Sequence, residues 1–346
     1  MTVPTVNAVI NFSTGPAFAQ AMIIDQGILG TNVLADSAAV IVDVSNQVNK
    51  IEITRGRNAQ ADQFQTGNLS LRIVDQNGDF NPQNAAGPYY NLLVPMRKVQ
   101  ITATYDGITY PLFSGFITSY TTTTPLNADE VAYTTIAAVD AFRLAQNAQI
   151  ATVAGATAGD LSGTRINQIL DAIEWPNSFV FQDRTVTVTS INSTPTVFND
   201  NGTDIGYANA IWRLDDTLIY NSASITRTGG TAQTSTNTAS VEKYFIHSYN
   251  QQNLLMQTDT NALNYAQAYV ASRAETTIRC DAIELDLYTD NYNSGIIAAL
   301  ELDYFDPVTI TTNQPGTSTL TKTLQVFGVK HSITPNSWKS VFTTLE

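Results

Sequence analysis

The chain has 346 residues and a mass of 37.5 kDa, enough for two domains or three small ones. Its 17 basic and 30 acidic side chains give a net charge of −13 at pH 7. This charge argues against sequence-independent binding to nucleic acid and against docking on anionic lipid, because both depend on Lys and Arg. A single cysteine, Cys280, rules out an intramolecular disulfide and a multi-thiolate metal site.

Charged residues make up only 14 % of the chain, against about 25 % in an ordinary soluble domain. Thr, Asn, Gln and Ser take their place, while 43 % apolar residues are enough to build a core. This composition indicates a β-rich protein with hydroxyl and amide side chains on its outer faces; a compositional bias of the host is the alternative. With no targeting segment and no apolar run of membrane length, we expect the chain to be made in a cytoplasm.

The first half of the sequence predicts strands. Residues 38–44, 51–53 and 69–74 have β patterns, and a dense turn signal at residues 75–79 ends the third. The clearest element is a hairpin that begins at Val99 and turns at Asp106-Gly107, a pair typical of a type I′ turn. The polar face of its first strand is formed by Gln100, Thr102 and Thr104. Residues 131–139 predict a further strand of the same sheet.

The remaining sequence mixes helices and strands. Helical spacing predicts helices at about 162–173 and 261–274. Residues 185–191 predict a strand, residues 211–220 a strand or turn, and the Thr-, Ser- and Gly-rich residues 222–240 a mobile loop or a long ribbon. We therefore divide the chain into a first β domain (1–150), a middle α+β region with a long polar loop (151–250), and a helix with a second β domain (251–346).

Two hairpins resemble each other. The strand 307–311, which carries Thr309 and Thr311, leads through a turn to the apolar residues 324–329, as the strand at Val99 leads through its turn to residues 112–116. Each returning strand contains one glycine, which allows a bend or a bulge. The likeness predicts duplication of a β-barrel or sandwich unit, although any two hairpins share much of this pattern.

The sequence offers little for catalysis. It contains two histidines, His247 and His331, far apart, and none of the common nucleophile, zinc-protease, phosphate-loop or dinucleotide motifs. A buried or solvent-bonded structural role is the favoured interpretation of both. Cys280 is predicted to lie in the core. We expect a protein that is not an enzyme, with no catalytic residues, no cofactor and no metal.

Three groups of charged residues have simple structural interpretations. Residues 75–79 resemble the start of a calcium loop, but Phe80 and Ala86 stand where that loop needs Gly and Glu, so turn capping is expected. The carboxylates Asp215-Asp216 and the group Glu284, Asp286 and Asp290 are conceivable glycosidase acids, but a solvated face is favoured. Arg55 and Arg57, on one face of a strand, are expected to pair with local carboxylates such as Asp62.

Residues 51–117 resemble the N-terminal part of the minor tail proteins of tailed bacteriophages, the baseplate or tail-tip hub family. The similar stretches, in the same order, are Ile51–Arg57, Phe64–Gly67, Asp75–Pro82, Pro88–Tyr90, Pro95–Val99 and Leu112–Gly115. Near the other end, Leu263–Ala274 and Val329–Thr334 with Trp338 are also similar. Residues 179–240 show no such match.

The resemblance implies a mainly β fold with a few helices, in which two tail-tube-like barrel or sandwich domains flank a less regular region. Three copies would form a ring of six similar domains around a channel for DNA. Its partners would be the distal tail or tail-tube proteins on one side and a spike, fibre or tape-measure protein on the other. The chain would reside in the virion tail after synthesis in the host cytoplasm, would meet DNA only in passing, and would not bind membranes.

The polar strand faces are the candidate site. Gln100, Thr102 and Thr104, with Thr309 and Thr311, are proposed to line the lumen or a subunit contact; a solvated sheet face is the alternative. Two other functions stay open. One is a distal tail ring of six copies, each with one tube-type domain. The other is a carbohydrate-binding β-sandwich adhesin, which the Tyr-rich residues 288–292 permit.

Overall fold

The computed structural model describes residues 3–12, 40–58, 63–123, 125, 130–157, 160–173, 184–288, 293–313 and 318–345. The chain folds into two compact units. The first comprises residues 1–59, 63–210 and 282–346, and the second comprises residues 60–62 and 211–281. The division at residues 150 and 250 follows the order of motifs along the sequence and stays a proposal.

Strands dominate the described residues. They are β1 (Thr5–Asn11), β2 (Ile41–Asp43), β3 (Val48–Asn58), β4 (Gln63–Val74), β5 (Lys98–Tyr105), β6 (Ile108–Thr123), β7 (Tyr133–Val139), β8 (Thr196–Asn199), β9 (Asn209–Arg213), β10 (Ser222–Arg227), β11 (Gln233–Thr236), β12 (Ser248–Leu254), β13 (Arg279–Asp286), β14 (Pro307–Thr312), β15 (Leu320–Thr334) and β16 (Ser337–Leu345). The helices are α1 (Phe142–Asn147), α2 (Ser162–Ala172), α3 (Arg184–Ile191), α4 (Thr238–Tyr244), α5 (Asp259–Arg273) and α6 (Asn293–Glu301). The predicted mainly β fold with a few helices is confirmed.

One large sheet runs through the first unit. Its strand order is β2-β1-β5-β6-β7-β4-β3-β15-β16-β13-β9, and β14 joins it by pairing with β15 and β8. All pairs along β1 to β7 and from β3 through β15 and β16 to β13 are antiparallel, whereas β8 and β14 are parallel. The sheet thus joins strands from the beginning and the end of the sequence.

The same strand arrangement occurs twice in this sheet. Strands β4 to β7 lie in the order β5-β6-β7-β4, and strands β13 to β16 lie in the order β14-β15-β16-β13. In each set a long middle strand pairs first with the strand before it and further along with the strand after it, changing partners at Phe116 in β6, next to Gly115, and at Gln325 in β15, three residues before Gly328. A register shift between Val326 and Gly328 marks a bulge there. These sets are the two β repeats of the fold.

The two repeats are joined through β3, which pairs with β4 of the first repeat and with β15 of the second. Gly56 lies opposite Gly328, and a Cβ atom on Gly56 would stand 3.3 Å from the Cα atom of Gly328. Side chains reinforce this seam, because Arg55 forms an ion pair with Asp303 at 3.2 Å and the Arg57 guanidinium lies 5.2 Å from the ring centre of Phe327. Glycine at both positions allows the main chains to approach closely.

The predicted hairpin is confirmed in detail. Asp106 and Gly107 both have positive φ, at 49° and 78°, as a type I′ turn requires. Along β5 the apolar side chains are buried and the intervening polar ones face outward. This alternation fixes the register, since a slip of one residue would turn Ile101 out of the core.

The second unit is a small α/β layer. Its sheet has the order β11-β10-β12, with β10 and β11 antiparallel and β10 and β12 parallel. Helix α5 packs on β10 and β11 and buries Ala262, Ala266, Tyr269 and Val270 against Ala223 and Ile225. Residues 222–236 are therefore a β-ribbon that leads into α4, so of the two predicted alternatives, a mobile loop or a long ribbon, the ribbon is the one that forms.

One predicted strand is wrong. Residues 184–191 form the helix α3, although their alternation of Thr and Val is typical of a strand. The N–H group and the side-chain amide of Asn192 both donate to the carbonyl of Val188, which satisfies the end of this helix. A run of eight residues is short enough for its surroundings to override its intrinsic β preference.

Candidate subunit-contact or lumen face

The candidate residues lie on the outward side of two strands in equivalent positions of the two repeats. Gln100, Thr102 and Thr104 alternate with buried residues on β5, and Thr309 and Thr311 do so on β14. The two groups do not share a ladder, because β5 pairs with β1 and β6 while β14 pairs with β15 and β8. They form two patches rather than one.

The first patch extends over three strands and carries no ionisable group at its ladder positions. The β1 residues opposite Gln100, Thr102 and Thr104 are Val9, Asn7 and Thr5, and the β6 residues opposite them are Ser114, Pro111 and Thr109. The hydroxyls of Thr104 and Thr109 lie 3.1 Å apart and hydrogen-bond across the strands. The patch is thus a neutral surface of amides, hydroxyls and small apolar groups.

The second patch is built from paired threonines. The hydroxyls of Thr309 and Thr323 are 3.1 Å apart and those of Thr311 and Thr321 are 3.0 Å apart. Sequence reasoning missed Thr321 and Thr323; the Thr-x-Thr spacing of the returning strand is the signal that would have identified them. Cross-strand Thr pairs of this kind each stabilise a sheet by about 0.2–1 kcal/mol.

A carboxylate anchors the end of the second patch. Asp200 accepts hydrogen bonds from the Asn313 main chain at 2.9 Å, from the Asn313 amide at 2.8 Å and from the Thr312 hydroxyl at 3.0 Å. These donors, with the Asn313 N–H group first, hold the pKa of Asp200 below its ordinary value. The Asp200 carboxylate thus holds the end of β14 in place through these hydrogen bonds.

At their ladder positions both patches offer many hydrogen-bonding groups and no ionisable side chain, and Asp200 places one negative charge at the end of the second patch. Such a surface neither attracts nor repels a polyanion strongly, and it can also pack against a matching polar surface of another subunit. Either use fits the geometry.

The two histidines differ in their surroundings. His331 is buried between β3 and β16, where its Nδ1 atom lies 2.9 Å from the Ser340 hydroxyl, and burial lowers its pKa to about 3. It is a neutral core residue, which confirms the structural interpretation. His247 lies directly before β12, with its Nε2 atom 3.1 Å from the Tyr244 carbonyl oxygen. Cys280 is buried, as predicted.

The turn signal at residues 75–79 is confirmed as a capped turn. The buried Asp75 carboxylate accepts hydrogen bonds from the N–H groups of Asp79 (2.7 Å) and Phe80 (3.1 Å) and from the Thr134 hydroxyl (2.8 Å). From there to Tyr90, the N–H of every third residue donates to the carbonyl three residues earlier. These carboxylate contacts hold a turn against β7.

Two of the remaining carboxylates, Asp215 and Glu284, belong to ion pairs. Asp215 accepts from Arg279 at 2.8 Å, and Glu284 accepts from Lys339 at 2.8 Å. Arg55 pairs with the distant Asp303, whereas Asp62 and Asp290 lie outside the described residues, so the predicted pairing with Asp62 stays a prediction. Tyr288 donates from its hydroxyl to the Pro335 carbonyl oxygen at 3.2 Å, while residues 289–292 also lie outside them.

The described residues offer little sign of any other kind of site. No group of three or more His, Cys, Asp or Glu side chains is placed to bind a metal there. An open hollow of about 570 Å³ in the first unit is lined by residues that include Thr196, Asp204 and Ser294, and it holds no histidine, lysine or cysteine. None of the helices in the described ranges has the length and apolarity needed to cross a membrane.

No family model and no curated protein matches the sequence, but solved structures match the fold. The 43 kDa tail protein of prophage MuSo2 from Shewanella oneidensis superposes with a TM-score of 0.54 at 9 % identity, over 98 % of both chains. A tail protein from Neisseria meningitidis MC58 gives a TM-score of 0.49 at 10 % identity, over 98 % of this chain and 97 % of its own.

A type VI secretion component of E. coli, described as structurally similar to the T4 bacteriophage tail proteins gp27 and gp5, gives a TM-score of 0.34 at 9 % identity, over 86 % of this chain and 73 % of its own. The fold assignment rests on the prophage tail protein, whose superposition spans nearly the whole of both chains. The resemblance predicted from the sequence is thus confirmed at the level of the fold: the chain has the fold of a bacteriophage tail protein.

Proposed function

We propose that the chain is a structural, non-enzymatic protein of a bacteriophage tail tip: a hub whose copies form a ring around a channel for DNA. The observation that carries this proposal is the repeated strand order of β4 to β7 and β13 to β16. A chain with two similar β repeats can place six similar units in a ring with only three copies. Such a ring can join a sixfold tube or distal tail ring to a threefold spike, fibre or tape-measure end.

The neutral patches support a role at the channel or between subunits. DNA passing through a channel requires walls that do not hold phosphates, and neither patch presents Lys or Arg at its ladder positions. The net charge of −13 acts in the same direction. Contacts between copies in a closed ring are heterologous, so each copy must present two different surfaces.

Mass and shape test the ring. We expect a species of three times 37.5 kDa in size exclusion with light scattering, and a ring with a central hole in negative-stain images. A six-copy ring would favour the distal tail protein instead. A chain that stays monomeric at every concentration would contradict both rings and would favour the carbohydrate-binding adhesin, which a glycan screen would then test.

The role of the two patches is tested separately by thiol labelling. Cys280 is buried, so Thr102→Cys and Thr311→Cys each introduce one reactive thiol with little background. In the assembled ring, a contact face is protected from every maleimide, whereas a lumen face reacts with a small maleimide and resists one carrying a large polymer. Equal reaction with both reagents, in ring and monomer alike, would identify a free outer surface and refute the proposed role.

A further inference from the structure

The second unit presents two large apolar side chains at the tip that joins α4 to β12. Phe245 is 83 % exposed and Ile246 is 64 % exposed. Isolated apolar residues on a surface are common and by themselves indicate nothing. The backbone that carries these two residues is unusual.

Phe245 is held in a conformation that suits glycine. Its φ is 62° and its ψ is 179°, a combination that L-residues with bulky side chains avoid because Cβ meets the neighbouring main chain. A conformation of this kind persists only where the surroundings enforce it. Phe at this position therefore requires a specific support.

That support is the side chain of Asn221, which is completely buried. Its amide donates to the Phe245 carbonyl oxygen at 2.7 Å and to the Ser240 hydroxyl at 3.2 Å, and its Oδ1 atom accepts from the His247 N–H at 2.8 Å. The main chain of His247 also accepts at its carbonyl from the N–H groups of Asn221 and Ser222, both at 3.1 Å. The hydrogen bonds of Asn221 thus hold the main chain on both sides of Ile246 and fix the orientation of the tip.

The lysine beside the tip is neutralised by a carboxylate. Lys243, two residues before Phe245, pairs with Glu275 at 2.7 Å, and the Tyr244 hydroxyl donates to the same carboxylate at 3.0 Å. Residues 211–281 contain five basic and six acidic side chains, a net charge of −1, so the rest of the chain carries −12 of the total of −13. A heterologous contact to which one copy contributes its 211–281 segment therefore carries less repulsion than a contact between the remaining, acidic parts of two copies, whereas a basic partner would be drawn to the remainder.

We propose that Phe245 and Ile246 form a rigid apolar anchor through which one copy of the chain docks on a second copy. Among the described residues, seven of nineteen exposed large apolar side chains lie in residues 211–281, so this near-neutral unit also has an excess of apolar surface to cover. An anchor fixed before binding loses little conformational freedom on docking, which favours affinity. The inference rests on the proposed ring and names the segment that holds its copies together.

Four variants test the anchor by sedimentation equilibrium of the full chain. Phe245→Ala and Phe245→Gly should each weaken self-association at least about thirtyfold, as removal of a central apolar anchor does, and Ile246→Ala should weaken it less. Leu255→Ala is the matched control: Leu255 is 98 % exposed in the same unit but lacks a positive φ, and its removal should change the association constant less than about threefold.

Thermal unfolding of the dilute monomers separates docking from folding. Phe245→Gly relieves the backbone and should raise the unfolding midpoint by about 2 °C, while Phe245→Ala leaves it nearly unchanged. If the wild-type chain forms a ring and Phe245→Ala and Ile246→Ala still form it, the anchor is refuted and the proposed ring is not. A wild-type chain that never self-associates would overturn the ring and the anchor together. Loss of association accompanied by a fall of the midpoint in both Phe245 variants would assign Phe245 to folding and also overturn the anchor.

Discussion

Substitution of Gly115 by alanine tests the architecture of the first repeat. Gly115 lies in β6 at the point where this strand changes partners from β5 to β7. A Cβ atom there would lie 2.8 Å from two ring carbons of Phe113 and closer still to the carbonyl oxygen of Val139. Carbon atoms pack optimally at about 3.5–4.0 Å, so the added methyl group has no space unless strands β6 and β7 separate.

The cost follows from what must move. The ring of Phe113 is buried, and the Val139 carbonyl belongs to the main chain of β7, so neither can swing aside cheaply. Overpacking of this kind destabilises by about 1–3 kcal/mol and sometimes by more. We expect Gly115→Ala to lower the opening free energy of β6 and β7 by about 3 kcal/mol, which speeds amide exchange in these strands roughly 150-fold.

Hydrogen exchange measured by mass spectrometry on peptides from β6 and β7 is the appropriate assay, because it reports the local effect in a chain with two units. Gly163→Ala is the matched control: no atom lies within 4 Å of its added Cβ, and its position in α2 should make alanine neutral or favourable. Unchanged protection of β6 and β7 in Gly115→Ala would refute the close approach of the strands and the partner change built on it.

Two further predictions concern buried polar groups. Burial lowers the pKa of His331 from 6.5 to about 3, so its neutral form supports folding above pH 6.5 and this support is lost as the pH falls towards 3. In His331→Gln the unfolding free energy should therefore fall less steeply between pH 6 and 4, by about 1.4 kcal/mol per pH unit. Equal slopes in urea titrations of the wild type and the variant would contradict this. Asp75→Ala leaves three donors without their acceptor and should lower the unfolding free energy by about 3 kcal/mol in the same titrations. The control Asp79→Ala should change the unfolding free energy by less than about 0.5 kcal/mol. Similar losses in the two variants would refute the capping role of Asp75.

Much of the sheet could be predicted because local chemistry determines it. The alternation of β5 and the Asp106-Gly107 pair specify a hairpin without help from the rest of the chain, and the structure matches them residue by residue. Asp75 could be predicted as a turn cap for the same reason. Where the information is local, the sequence was sufficient.

The failures occur where distant residues decide the outcome. Residues 185–191 have a strand-like pattern but form a helix. For residues 222–236 the sequence left a loop and a ribbon open, and the ribbon forms because Ala223 and Ile225 bury against α5. The partner of Arg55, Asp303, lies 248 residues away and could not be identified from the sequence. The conformation of Phe245 leaves no signal in composition or periodicity, since it depends on Asn221 and the chain around it.

The seam between the repeats has a consequence for the synthesis of the protein. Strand β3 ends at Asn58 and its partner β15 begins at Leu320, so the edge of β3 stays without its partner while some 260 residues are made. At typical bacterial rates of translation this interval is on the order of 13–50 s. During it β3 offers an unpaired edge to any extended segment nearby. The β3–β15 pairing therefore gives the fold a high contact order and forms late, which favours slow folding. On a crowded polysome, β3 of one chain can also pair with β15 of a neighbouring chain.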